Sequence, residues 1–326
     1  VENLTPKVVI NYQGRDVTAD FEPILSSVSY RDYLDGKAGE LEIKVSNSEG
    51  LFLGDWYPDV DDKIEALIGF EETGMMPCGT FWVDEVKLNG GSSGDDCSIR
   101  ALSLRSSLIL REQAVQNYEA RPLSEIVTAE AEKIGYKVVG DLSGTWSGQQ
   151  NETGLRFLNR VAHDTGRIFK IEGDTLVFYP FEDILKAGAA IEINRRDVSS
   201  YSISDKAAGR ISKCTVKWWN RKTKKLIVGS FDAGIKGGGS ALIWAEVKDT
   251  AAAEKKAKDY ITDRNKKGVE FTLNTSGDIR LQAGVTVKTI GFGRFDGEYI
   301  ISEVTHTYAS GGYTSQITLM KPGQEK

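Results

Sequence analysis

Apolar and polar residues alternate through much of the chain, the period that places successive side chains on opposite faces of a strand. From Lys7 to about Leu104, the segments KVVINY, ILSSVSY, GELEIKVS, KIEALIGF, GTFWVDEVKL and CSIRALSL follow it, separated by turn-forming clusters. Six strands in about a hundred residues predict a sandwich or a barrel. Near Arg121 the period changes. RPLSEIVTAEAEKIGY sets Leu123, Ile126, Val127 and Ile134 on one helical face, with Pro122 near its start and Gly135 as its stop. In QQNETGLRFLNRVAHDTGRIFKIEGDTLVFYP, the spacing of Leu155, Leu158, Val161 and Ala162 predicts a helix capped by Asn151 and ended by Gly166. RIFKI and TLVFYP around EGD then predict a hairpin, completing a small α/β module that ends near residue 190. Strands resume with SSYSIS, SKCTVKWW and KLIVGSF. One helix at roughly 249–265 precedes VEFTLN, GVTVKTIGF, GEYIISEVTH and YTSQITLM.

The pattern repeats itself. Ile68-Gly69-Phe70 matches Ile290-Gly291-Phe292, and a second block matches at a constant offset of 218. Gly79 pairs with Gly297, Phe81 with Tyr299, Val83 with Ile301, Glu85 with Glu303, Val86 with Val304 and Ile99 with Ile317. One register held through two strands implies two copies of a β-domain, at 1–110 and 195–326, with the α/β module at 115–190 between them.

Charge and cysteine content narrow the function classes. A net charge of −6 argues against a surface built wholly for nucleic acid or anionic membrane. No run of 18 apolar residues occurs, and the opening VENLTPKVVINYQG lacks the charged-then-apolar order of a secretion signal, so synthesis in the cytoplasm and no stable membrane insertion are expected. Cys78, Cys97 and Cys214 are odd in number and lack metal-ligand spacing, which predicts reduced thiols and no metal site.

Candidate chemistry is sparse. His163 and Asp164 fall in the last turn of their helix, where the dipole favours an imidazolium, and general-base work would need a nucleophile and an orienting partner that the neighbouring sequence does not supply. GFGRFDG has the wrong glycine spacing for a nucleotide loop and reads as a hairpin turn, while IKGGGS reads as a flexible connection. Asp59, Asp61 and Asp62 read as a solvated turn rather than a calcium loop. Glu85 and Glu303 could mimic a glycosidase pair, but as equivalent residues in separate copies they should be far apart. Lys213, Lys217, Arg221, Lys222, Lys224 and Lys225 surround Trp218 and Trp219, a combination able to hold single strands; its alternative is an alternating strand with Cys214, Val216 and Trp218 inward. No catalytic, cofactor-binding or metal-ligating residue is expected.

Three blocks, CGTFWVDEVKLNGGSSGDDCSIRALSL, ETGLRFLNRVAHDTGRIFKIEGDTLVFYP and LQAGVTVKTIGFGRFDGEYIISEVTHTYASGGYTSQITLM, resemble in order the phage late-control protein D family, the baseplate hub of contractile tails. The middle block also resembles a segment of type VI secretion spike proteins in which glutamate-serine-aspartate precedes Phe-Leu and an arginine. Here Glu152-Thr153-Gly154 precedes Phe157, Leu158 and Arg160.

The resemblance implies a mainly β fold with an α+β insert, two tail-tube-like β-barrel domains flanking the small α/β module, and no enzymatic activity or cofactor. It implies a homotrimer with a separate central spike protein, the tail tube protein, and tape-measure and other baseplate proteins as partners, assembled into a virion tail or tail-like particle. Two similar domains in each of three chains would reconcile a sixfold tube with a threefold spike. DNA would meet the hub only in transit, past a neutral or acidic lining, because a basic one would retain it. The competing readings are a cell-wall hydrolase of the tail tip and a carbohydrate- or nucleic-acid-binding β-protein.

Overall fold

The computed structural model describes residues 4–92, 94–105, 113–186, 188–205, 210–221, 223–265 and 269–321. The N-terminal strands are β1 (Pro6–Tyr12), β2 (Arg15–Asp16), β3 (Leu25–Tyr33), β4 (Glu40–Ser46), β5 (Lys63–Phe70), β6 (Gly74–Asn89) and β7 (Asp96–Leu102). The middle holds β8 (Gln113–Pro122), β9 (Lys137–Gly140), β10 (Thr145–Thr153), β11 (Arg167–Glu172) and β12 (Thr175–Pro180), with helices Leu123–Glu132, Gly154–Asp164 and Phe181–Lys186. The remainder comprises β13 (Ile191–Asn194), β14 (Val198–Asp205), β15 (Ile211–Asn220), β16 (Lys225–Asp232), β17 (Gly239–Trp244), the helix Thr250–Asn265, β18 (Val269–Ser276), β19 (Thr286–Ile290), β20 (Gly297–Ala309) and β21 (Gly312–Met320).

Two strand sets of one order build the largest sheet. The first runs β3-β4-β7-β6-β5-β1 and the second β14-β18-β21-β20-β19-β13. They differ at the last strand, because β1 is antiparallel to β5 whereas β13 is parallel to β19. Their irregularities coincide: the β6–β7 ladder shifts between Val83 and Glu85, and the β20–β21 ladder between Ile301 and Glu303. A second shift falls between Leu25 and Ser27 on β3, and between Val198 and Ser200 on β14. Each such bulge adds an unpaired residue and bends the strand, so matching bulges give the two sets matching bends.

This register extends the repeat. Val28 faces Ile43, which faces Ile99; Tyr201 faces Leu273, which faces Ile317. LSSVSYRD at 25–32 therefore corresponds to VSSYSISD at 198–205, a match carried only by small polar residues and an aspartate. The pairing also corrects the first matched block. Ile64 opposite Phe81 corresponds to Val287 opposite Tyr299, so Ile290 corresponds to Leu67 and the Ile68-Gly69-Phe70 match is slipped by one residue.

The two sets are not separate bodies. Glu303–Ala309 of β20 pair with β3, opposite Tyr33 through Ser27, joining them into one antiparallel-rich sheet of 13 strands. The fold is mainly β as expected, but among the described residues the strand path from β14 to β2 stays open and no barrel closes within the chain. The edge of β20 beyond β19 is taken by β3 from the other set. One face of the sheet is apolar: Leu41, Ile43, Phe81, Val83 and Ile99 are buried in the first set, and Phe271, Leu273, Tyr299, Val304 and Ile317 in the second. Each such side chain contributes about 1.5–3 kcal/mol.

Residues 113–186 form the β8–β10 ribbon and the β11-β12-β9 sheet, packed under helices. Gly166, with φ +69°, ends the second helix as expected. Its start is later than expected: Asn151 lies in β10 opposite Val115, and the helix begins at Gly154, because strand pairing outcompetes a cap at that position. Residues 211–265 build their own sheet, β16-β15-β17, covered by the helix Thr250–Asn265 around Cys214, Val216, Ala253, Ala257 and Ile261. IKGGGS is not a free connection, since Gly239 and Ser240 open β17. Gly238 passes so close to Ser212 that a Cβ would lie 2.7 Å from its nitrogen.

Candidate assembly and conduit surface

Strand alternation leaves the second face of the sheet polar. Serines of β14, Thr272 and Asn274 of β18, and Gln316 and Thr318 of β21 continue into Thr305 and Thr307 of β20 and Ser29 of β3. Acidic Glu40, Glu42, Glu85, Asp96, Glu270 and Glu303 outnumber basic Arg31, Lys44, Lys87 and Arg100 on these alternate positions.

A ladder of charges crosses this face. Glu303 Oε1 lies 3.6 Å from Arg31 Nε, Arg31 Nη1 lies 3.3 Å from Glu40 Oε1, and Glu40 Oε2 lies 3.7 Å from Arg100 Nη1. Arg100 then reaches Glu85 at 3.3 Å and Asp84 at 2.6 Å. The two glutamates that could have formed a glycosidase pair thus sit at opposite ends of a ladder, four strand spacings or roughly 19 Å apart. Partly exposed pairs contribute at most about 1 kcal/mol each, so the ladder acts mainly by favouring one cross-strand register.

On the apolar side of the β20–β3 junction lies His306, the second histidine, which sequence reasoning passed over. Its ring stacks on Tyr30 with centroids 6.1 Å apart. Nε2 donates to Leu281 O at 2.8 Å, leaving Nδ1 to accept from Tyr313 Oη at 2.7 Å and Ser315 Oγ at 3.0 Å. Burial pushes its pKa down to about 4, against the Leu281 hydrogen bond and the Asp278 charge, so the ring is neutral at pH 7. The signal available in the sequence was its in-facing strand position between Val304 and Tyr308.

The end of β3 docks the middle module. Buried Asp32 accepts from Lys170 Nζ and from Ala283 N, both at 3.1 Å. Burial would lower the Lys170 ammonium, but Asp32 and Glu172 outweigh it and hold the group above the ordinary lysine value. Asp35 Oδ2 lies 3.0 Å from His163 Nε2, and Asp35 Oδ1 accepts from Phe169 N at 3.0 Å. His163 is therefore placed at a docking contact. Asp164 accepts from Trp146 Nε1 at 3.0 Å. Arg160 Nε donates to Glu152 Oε1 at 2.7 Å and its Nη2 to Gln149 O at 2.7 Å, so the motif glutamate and arginine tie the second half of the helix back to β10.

His163 and Asp164 line the same groove, of about 1290 Å³, as Trp218 and Arg221 of the basic, aromatic cluster; Trp146 and Trp244, which the sequence did not mark, line it too. Cys214 and Val216 face inward as expected, Trp218 packs beside them, and Trp219 is half exposed. Lys222 lies outside the described residues. GFGRFDG turns between β19 and β20, with Asp296 accepting from Phe292 N at 2.6 Å. Asp62 accepts from Asp59 N at 2.8 Å and from Tyr12 and Gln13, giving the acidic run a turn-forming role. The three cysteines are free and buried, and burial holds the Cys97 thiol up at about 11. Among the described residues no three His, Cys, Asp or Glu side chains gather as a metal site.

A family model described as YQBQ-like matches residues 243–320. The probable baseplate hub protein of Escherichia phage 186 is 23% identical over 240 residues, covering 68% of this chain and 58% of that protein. The resemblance to phage baseplate hub and tail proteins holds. The aligned part spans little more than half of that relative's length. The tail protein from Neisseria meningitidis MC58 has the same fold, with a TM-score of 0.74 at 14% identity over 98% of this chain and 97% of that one. The E. coli c3393 protein, a type VI secretion component described as structurally similar to the T4 tail proteins gp27 and gp5, matches with a TM-score of 0.53 at 13% identity, over 93% of this chain and 74% of that one.

Proposed function

We propose that the chain is a structural hub of a contractile tail or related injection device, joining the sixfold tail tube to the threefold central spike as a trimeric, pseudo-sixfold ring. The observation that carries this reading is the repeat: two strand sets of one order, with bulges at matching positions, lie in one sheet. A closed ring requires each interface to recur by rotation. Three chains with two such sets each offer six similar units to a tube and keep a threefold axis for a spike. The tube-like units are 1–110 and 195–326, and the module at 115–190 lies outside the ring.

The polar sheet face, with its excess of acidic side chains, suits a lining that polyanionic cargo passes without being held. The role is mechanical rather than catalytic. The chain is made in the bacterial cytoplasm and joins a particle containing spike, tube, tape-measure and further baseplate proteins. Mass measurement of the purified protein, alone and with its spike, together with imaging of the tail tip, tests the reading. Three copies around the axis are expected; six copies in one ring, or a single copy off the axis, would defeat it.

A further inference from the structure

We propose that β14 of one chain pairs antiparallel with the free edge of β6 in a second copy of the same chain, with Leu88 opposite Ile203 and Asn89 opposite Ser202. Within the chain, β20 uses one edge twice: Gly297–Ile300 pair with β19, and Glu303–Ala309 with β3. In the first set, β6 gives the same edge to β5 over Gly74–Trp82, and its continuation, Glu85–Asn89, pairs on the other side with β7. No described strand covers the other edge of that continuation. At the far end of the sheet, β14, the counterpart of β3, pairs with β18 alone among the described strands. Among the described residues, β14 and the continuation of β6 thus present two bare edges that correspond to the two sides of the sheet's own internal junction.

The correspondence sets the register. His306 opposite Tyr30 becomes Leu88 opposite Ile203, and Thr307 opposite Ser29 becomes Asn89 opposite Ser202. The chemistry is preserved: Leu88 and Ile203 are half-buried apolar residues, while Asn89 and Ser202 are exposed and polar, as a hydrogen-bonding pair must be to replace Ser29 Oγ and Thr307 Oγ1 at 3.1 Å. A second copy is the occupant because the contact is the chain's own β20–β3 joint repeated once per copy. Exposed strand edges of this kind are otherwise liable to aberrant pairing. The number of copies, three, rests on the hub reading above; joined in this way they complete a barrel that a single chain leaves open.

Oxidation of the full-length chain carrying Asn89→Cys and Ser202→Cys tests the register, with oligomeric mass measured in parallel. Directly opposed residues lie about 4.5–5.5 Å apart between Cα atoms, within disulfide reach, whereas the diagonal control Asn89→Cys with Ser204→Cys lies about 7–8 Å apart. Covalent dimers and trimers from the first pair, and little product from the control, are expected. A chain that trimerises without the 89–202 bond overturns the pairing and leaves the hub reading standing. A chain that stays monomeric and uncross-linked at every concentration, with and without spike, overturns both.

Discussion

Gly79 and Gly297 hold the same place in two strand sets 218 positions apart, and both adopt positive φ, +111° and +142°. The conformation disfavours any residue with a Cβ. Space is not the obstacle, since a Cβ at Gly297 meets nothing within 4 Å and one at Gly79 meets only the Phe81 ring at 4.0 Å. Gly79→Ala and Gly297→Ala should each destabilise by about 1–2 kcal/mol through backbone strain. Urea denaturation reads this directly, and unchanged midpoints would refute the shared requirement.

Asp32→Asn should cost about 1–3 kcal/mol, because it leaves Lys170, whose side chain is 15% exposed, with only the largely exposed Glu172 at 3.0 Å as counter-charge. The double variant Asp32→Leu, Lys170→Met should recover much of that loss. Equal instability of the single and double variants would show that packing, not charge, dominates there.

His306 makes stability depend on pH. Its folded pKa of about 4 lies below the ordinary 6.5, so the fold favours the neutral ring; that contribution is complete above pH 6.5 and is lost as pH falls from there through 4. The loss between pH 7 and 4 amounts to about 3 kcal/mol. Denaturation of the native protein should therefore steepen in acid relative to His306→Gln. Parallel pH profiles would place the effect elsewhere.

His163→Ala and Glu303→Gln should leave peptidoglycan zymograms unchanged, with stability losses of about 1 kcal/mol or less from their partly exposed ion pairs. Cleavage by the native chain that disappears in either variant would move the function to an enzyme of the tail tip.

Local chemistry made much of this legible in advance. Alternating apolar positions located most strands of the large sheet, Gly166 ended its helix, and the offset of 218 exposed half of the repeat. The other half escaped because LSSVSYRD and VSSYSISD share only serines and an aspartate, which strand edges tolerate without revealing their partners. The β8–β10 ribbon escaped for a related reason: its residues are mostly polar, so only their pairing across the intervening helix marks them as strands.

By itself, the sequence determined which side chains face a core and where turns fall, since strand period and backbone preferences act within a few residues. Tertiary structure decided that Tyr30 meets His306, that Arg31 bridges Glu303 and Glu40, and that, among the described residues, two strand sets make one open sheet rather than two closed barrels. The Tyr30–His306 and Arg31–Glu303 contacts are brought together by ladder hydrogen bonds between strands roughly 270 residues apart in the chain. Every backbone carries the same donors and acceptors, so which edge they join depends on the bulges and bends of the assembled sheet.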